Sequence, residues 1–250
     1  MKFTGLSFVL FIPSLFLSTI CFAQRENMAP DGFVLVEENF AVDMQKMPLL
    51  FMSDARADFR NKNYGEAASD IKTAARLIGI EAKQTQSSDA RGELLIEEEI
   101  LTRLAKDLSD GKVTTLRELN TRLADSSYHQ AAHHRLRAAE AWSAHQYKNA
   151  GHEMALATDT LDQAAKWADR ELEKTTTTSI GEIQKVSGEL KKGTGWTAAE
   201  VKKQMASLDS VISRFGKDIG MGGESVTSSA AKKQPAETGS TSGTTRSVKP

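Results

Sequence analysis

The stretch ARADFRNKNYGEAASDIKTAARLI, residues 55–78, decides how this chain folds. Phe59 and Tyr64 bracket a short polar turn. Beyond it Ala67, Ala68, Ile71, Ala74, Ala75 and Ile78 recur at three- and four-residue spacing. That spacing gathers small and aliphatic side chains on one face of a helix, and alanine there lets a second helix approach closely. The reading is a tight helical hairpin with large residues at its corner.

The pattern returns once, as AAEAWSAHQYKNAGHEMALATDTL at residues 138–161. An offset of 83 carries Phe59 to Trp142, Tyr64 to Tyr147, Ala67 to Ala150, Ile71 to Met154, Ala74 to Ala157 and Ile78 to Leu161. Further on, an offset of 82 carries Leu108 to Leu190, Gly111 to Gly193, Thr115 to Thr197, Glu118 to Glu200 and Leu123 to Met205, as one residue lost from a loop would produce. Thr115 with Glu118, and Thr197 with Glu200, have the spacing of a capping box, and the glycines suit the left-handed position that ends the preceding helix. The chain therefore reads as all-α, built of antiparallel helical hairpins in two tandem four-helix units, 45–137 and 138–220. A single duplication of this length is not a tetratricopeptide array, whose repeat is about 34 residues.

Within the first unit, one helix is expected from about Pro48, a residue suited to a first helical turn, to Asn61. A second follows from Tyr64 to about Lys83. A third follows the cap signals Ser87-Ser88-Asp89, with Leu94, Leu101, Leu104 and Leu108 inward and Glu97-Glu98-Glu99 mostly in solvent. No strong breaker then occurs between Thr115 and Gln146, yet Leu116, Leu119 and Leu123 form one stripe and Tyr128, Ala132, Leu136, Ala139 and Trp142 another. Either the helix breaks near Asp125-Ser126-Ser127, or it serves one unit with each face.

At the N-terminus, Lys2, an apolar run from Leu6 to Phe22 and Ala23 have the layout of a secretory signal peptide, residues 1–23, so a periplasmic or secreted location is expected. Lipidation at Cys21 fits less well, because Ile20 stands where a small residue is needed. Residues 24–44 read as an extended arm with one strand candidate, Phe33–Val36, and the Gly/Ser/Thr-rich residues 221–250 as a disordered low-complexity tail. Cys21 is the one cysteine, so the processed chain has no disulfide, thiolate nucleophile or c-type haem attachment. With 32 Lys and Arg against 33 Asp and Glu there is no basic footprint for nucleic acid, and no stable membrane insertion is expected once the signal is removed.

The five histidines, His129, His133, His134, His145 and His152, all fall within 24 residues. His129 and His133 stand one helical turn apart, and His145 and His152 flank a turn, so these four are the candidate metal ligands, for a transition metal or haem. Against that, no third ligand is fixed by spacing and there is no H-E-x-x-H. Histidines bunched on one face also charge together between about pH 5 and 8 and can loosen a packed surface. No nucleophile motif or phosphate loop occurs, and Gly193-Thr194-Gly195 is a turn. Catalytic residues and a resident cofactor are not expected.

In its two hairpins, A-x-x-x-F/W, a polar turn, then A-x-x-x-I/M-x-x-A, the chain resembles the YfdX family of exported, helical, stress-associated bacterial proteins. The resemblance implies a periplasmic, chaperone-like role under acid or other stress, with self-association into a homo-oligomer left open, and supplies no catalytic residues. The expectation is thus a non-enzymatic interaction or scaffold module with a protein partner. The alternative is a metal- or haem-binding periplasmic protein using the 129–152 segment.

Overall fold

The computed structural model describes residues 38–170 and 172–220. The expected signal peptide, the strand candidate and the low-complexity tail lie outside them. Within the described residues the chain is all-α, with seven helices and no strand. These are α1 (Glu38–Arg60), α2 (Tyr64–Gln84), α3 (Ser88–Ser109), α4 (Leu116–Ser143), α5 (Tyr147–Trp167), α6 (Lys174–Lys192) and α7 (Ala198–Asp218). None of them is long and apolar enough to cross a membrane. The chain divides between Gln45 and Lys46. Of the first unit the described part, residues 38–45, is helical. The packing described below lies in the second.

Two expectations about the entry change. Residues 38–44 are helical rather than extended, and Pro48 lies inside α1 rather than in its first turn. A proline there forfeits one backbone hydrogen bond, which a helix tolerates when its side chains are held by packing. Met52, Ala55 and Phe59 supply that packing on the following turns.

The corners repeat in detail. Lys62 and His145, each preceding the cap residue of the next helix, adopt left-handed backbone with φ of 67° and 59°. The caps themselves, Asn63 and Gln146, have nearly the same torsions, φ −85° and ψ 63° against φ −86° and ψ 65°. Phe59 meets Tyr64 with ring centroids 5.1 Å apart, and Trp142 meets Tyr147 at 5.0 Å. Trp196 joins the second pair, 4.7 Å from Tyr147. Gly111 and Gly193 take φ of 66° and 73° after α3 and α6. Thr197 and Glu200 form a complete capping box. At the earlier site Thr115 accepts from the Glu118 amide, but the Glu118 carboxylate reaches the Thr114 N–H instead, so that box is displaced by one residue.

The described helices number seven because α4 does not break. The 137/138 boundary read from the sequence falls inside it. Its first turns place Leu119, Leu123 and Ala124 in one apolar cluster with α1, α2 and α3. Its later turns place Tyr128, Ala131, Ala132 and Ala138 in a second cluster with α5, α6 and α7. Gly151 of α5 sits so close to α6 that a β-carbon there would lie 2.7 Å from the Ser187 carbonyl oxygen, and Ser187 donates its hydroxyl to the Gly151 carbonyl at 3.0 Å.

Candidate functional site

The phase shift in α4 is filled by polar side chains taken out of water. Ser126, Ser127, His129, Gln130, His133 and His134 are all buried on its middle turns. Burial of that kind is costly unless each group finds a partner. The partners come from a stripe on α3, Ala90, Glu93 and Glu97, itself at three- and four-residue spacing. The two helices run antiparallel, so the stripes meet rung by rung. Ser126 Oγ donates to Glu97 Oε1 at 3.2 Å. His129 Nδ1 lies 2.8 Å from Glu93 Oε2. His133 Nδ1 donates to the Ala90 carbonyl at 2.9 Å, and its Nε2 lies 3.2 Å from Glu81 Oε1 on α2. On another side of α4, His134 Nδ1 lies 2.8 Å from Glu153 Oε2 of α5.

The charges follow from these contacts. His133 faces a carbonyl and a carboxyl group, an arrangement that the doubly protonated ring satisfies with both of its N–H groups donating. Burial pulls its pKa down, but the hydrogen bond and charge of Glu81 outweigh that and hold it above the ordinary histidine value. For Glu153 burial pushes upward, and the hydrogen bond and charge of His134, with His133 and Arg137 beyond, bring the carboxyl below its usual range. Glu97 is different. It is 0% exposed, and burial, reinforced by the neighbouring charges of Glu81 and Glu93, pushes its carboxyl well above the usual range, with only the Ser126 hydroxyl opposing. Glu97 is therefore pushed toward its neutral form in the seam. Its Oε2, together with Ser127 Oγ and both amide atoms of Gln130, is buried without a hydrogen-bond partner among the described residues.

This polarity is not something the helix pair requires. At positions 82 further on, where Ser126, His129 and His133 would recur, α7 carries Leu208, Val211 and Phe215, all buried. On α6 that cluster takes Ile180, Ile183, Val186 and Leu190, while the positions 82 beyond Glu93 and Glu97 are Thr175 and Ser179, neither of them ionisable. A hydrocarbon stripe on α7 thus stands where α4 carries an ionisable one.

The sequence-derived ligand set is divided by the fold. His129 and His133 share the seam but are bonded to different partners. His145 is exposed, its Nδ1 3.2 Å from the Tyr147 hydroxyl. His152 is half-buried on α5. Among the described residues no three His, Cys, Asp or Glu side chains are grouped to hold a metal ion. His129, His133 and His134 are core rather than surface residues, and Glu97 is not solvated. The missed signal is polar residues at three- and four-residue spacing on both helices, Glu93 and Glu97 on α3 and Ser126, His129 and His133 on α4. Comparison with protein-family models, curated proteins and solved structures gives no match, so the geometry of the seam carries the functional reading.

Proposed function

We propose that the chain is an exported, non-enzymatic helical interaction or scaffold module of a stress-related, chaperone-like kind, in which protonation sets how firmly α3 is held against α4. The observation that carries this is the ionisable stripe of α4 standing where the corresponding stripe of α7 is hydrocarbon. Polar groups buried at a cost to stability are best accounted for by a demand other than stability. The seam histidines are also bonded to Glu93, Ala90 and Glu81 inside the packing, which favours a conformational role over attack on a substrate. The hairpin resemblance to exported stress-associated proteins points the same way.

The test is protection of an aggregation-prone client, followed by light scattering at pH 5 and pH 7.5, with the purified chain at equimolar and tenfold excess. Suppression of scattering is expected, with a strength that differs between the two pH values. No suppression at tenfold excess at either pH would overturn the reading.

A further inference from the structure

Away from the histidine seam, a cleft of about 950 Å³ opens beside the first three turns of α4. The other walls are Arg56 of α1, the turn that closes α5, and Ile219 with Gly220 after α7. This is the size range of small-molecule sites. Its charge is unlike that of the chain. The chain as a whole carries 32 basic against 33 acidic residues, whereas the cleft is lined by Arg56, Arg117, Arg122, Lys166 and Arg170 against Asp125 and Asp169.

Two of the five cations are already neutralised. Arg122 pairs with Asp107 at 2.8 Å, and Lys166 with Asp162 at 2.6 Å. The other three are not. Arg56 spends its Nε–H on a neutral acceptor, the Asn120 side-chain oxygen at 2.8 Å, which aims the guanidinium without cancelling its charge. Arg117 and Arg170 are exposed and have no ion pair among the described residues. Of the acids, Asp125 turns its Oδ1 into the protein, where that atom is buried and unbonded.

Three guanidinium groups from three different elements offer more donors than one carboxylate can accept. A phosphate dianion has three terminal oxygens, which such forks can bond in pairs. The helix α4 also presents its N-terminal turns here, the end at which backbone dipoles favour an anion. Trp167, mostly buried, adds an aromatic wall for an organic portion. We infer that this cleft binds a small soluble phosphate ester, held by Arg56, Arg117 and Arg170. This binding is separate from the seam and stands or falls independently of it.

The experiment is calorimetric titration of the full chain with ribose 5-phosphate at about 150 mM salt, where weak surface attraction is largely screened, with sulfate as competitor. Saturable one-to-one binding with a dissociation constant of about 1 mM or tighter is expected. Arg117→Gln/Arg170→Gln should weaken it at least tenfold. Arg103→Gln, which removes the same charge from an exposed α3 residue paired with Glu99, should leave it unchanged. Both cleft arginines are exposed, so the double variant should keep its melting temperature; should it not, the Arg117→Gln single variant is the one to read. The proposal is overturned by absence of saturable binding up to about 10 mM, by equal binding to the double variant, or by sulfate competing as effectively as the ester.

Discussion

Replacing Glu97 by glutamine should stabilise the protein, by an amount that grows with pH. The carboxyl is fully buried, bonded through Oε1 to the Ser126 hydroxyl, and raised well above its ordinary value of 4.5. Glutamine keeps the shape and that hydrogen bond. It leaves a buried NH₂ without a partner where the native acid leaves an O–H without one, so the hydrogen-bond costs of the two side chains nearly cancel. What differs is the proton. In the folded chain Glu97 keeps its proton to a higher pH than in the unfolded chain, where it ionises above about pH 4.5. Between the unfolded and folded pKa values the native state therefore binds one proton more than the unfolded state, and stability falls by about 1.4 kcal/mol for each pH unit. A glutamine side chain does not titrate and carries no such dependence.

Urea unfolding of wild type and Glu97→Gln at pH 5, 6 and 7 measures this directly. The variant should be close to wild type at pH 5 and gain on it as pH rises, by up to about 1.4 kcal/mol per unit for as long as the folded carboxyl keeps its proton. A constant difference across the three pH values would refute the reasoning, because it would mean that Glu97 is ionised in the native seam. A variant less stable than wild type at pH 7 would refute it as well, by showing that the carboxylate is needed there as a charge.

Three further expectations can be checked with single substitutions or spectra. The His133 imidazole, followed by NMR, should titrate above 6.5 and move down in Glu81→Gln; its contribution to stability is then complete below the unfolded value and lost as pH rises through the folded one. Because Lys62 and His145 hold positive φ, Lys62→Gly and His145→Gly should each raise stability by about 1 kcal/mol in urea unfolding. Gly151→Ala should be less stable than Gly92→Ala by about 2 kcal/mol, since a β-carbon at Gly92 meets nothing within 4 Å while at Gly151 it meets the α6 backbone at 2.7 Å.

Much of the fold is legible in the sequence because it repeats. Tyr64 and Tyr147 begin their helices where the offset of 83 puts them, and Thr115 and Thr197 cap theirs. The entry is misread when Pro48 is judged by its local preference, because Met52, Ala55 and Phe59 hold the helix around it. The seam is missed for a different reason. Hydrophobic periodicity registers a buried face only when that face is apolar. On α4 the face continues through Ser126, His129 and His133, so an uninterrupted buried stripe looks like a fault in phase. Composition alone sends Glu97 to solvent, although its spacing from Glu93 and Leu101 places it on the α3 stripe that α4 covers. Polar residues at core spacing on two consecutive helices are the sign that the sequence holds.

The directions of these shifts combine into one consequence for the whole molecule. The raised values of Glu97 and His133 both mean that stability is lost as pH climbs, Glu97 from about 4.5 upward and His133 above 6.5. The lowered value of Glu153 means stability present above about 4.5 and lost as pH falls through the folded value. The contributions of Glu97 and His133 are therefore largest in mild acid. An imidazolium formed at His133 finds Glu81 already in place, so acidification charges the ring without stranding it. A chain meant only to be stable at neutral pH would do better with the hydrocarbon seen at Leu208, Val211 and Phe215. One that must keep α3 on α4 in acid, and release it more readily as the surroundings return to neutral, gains from the seam it has.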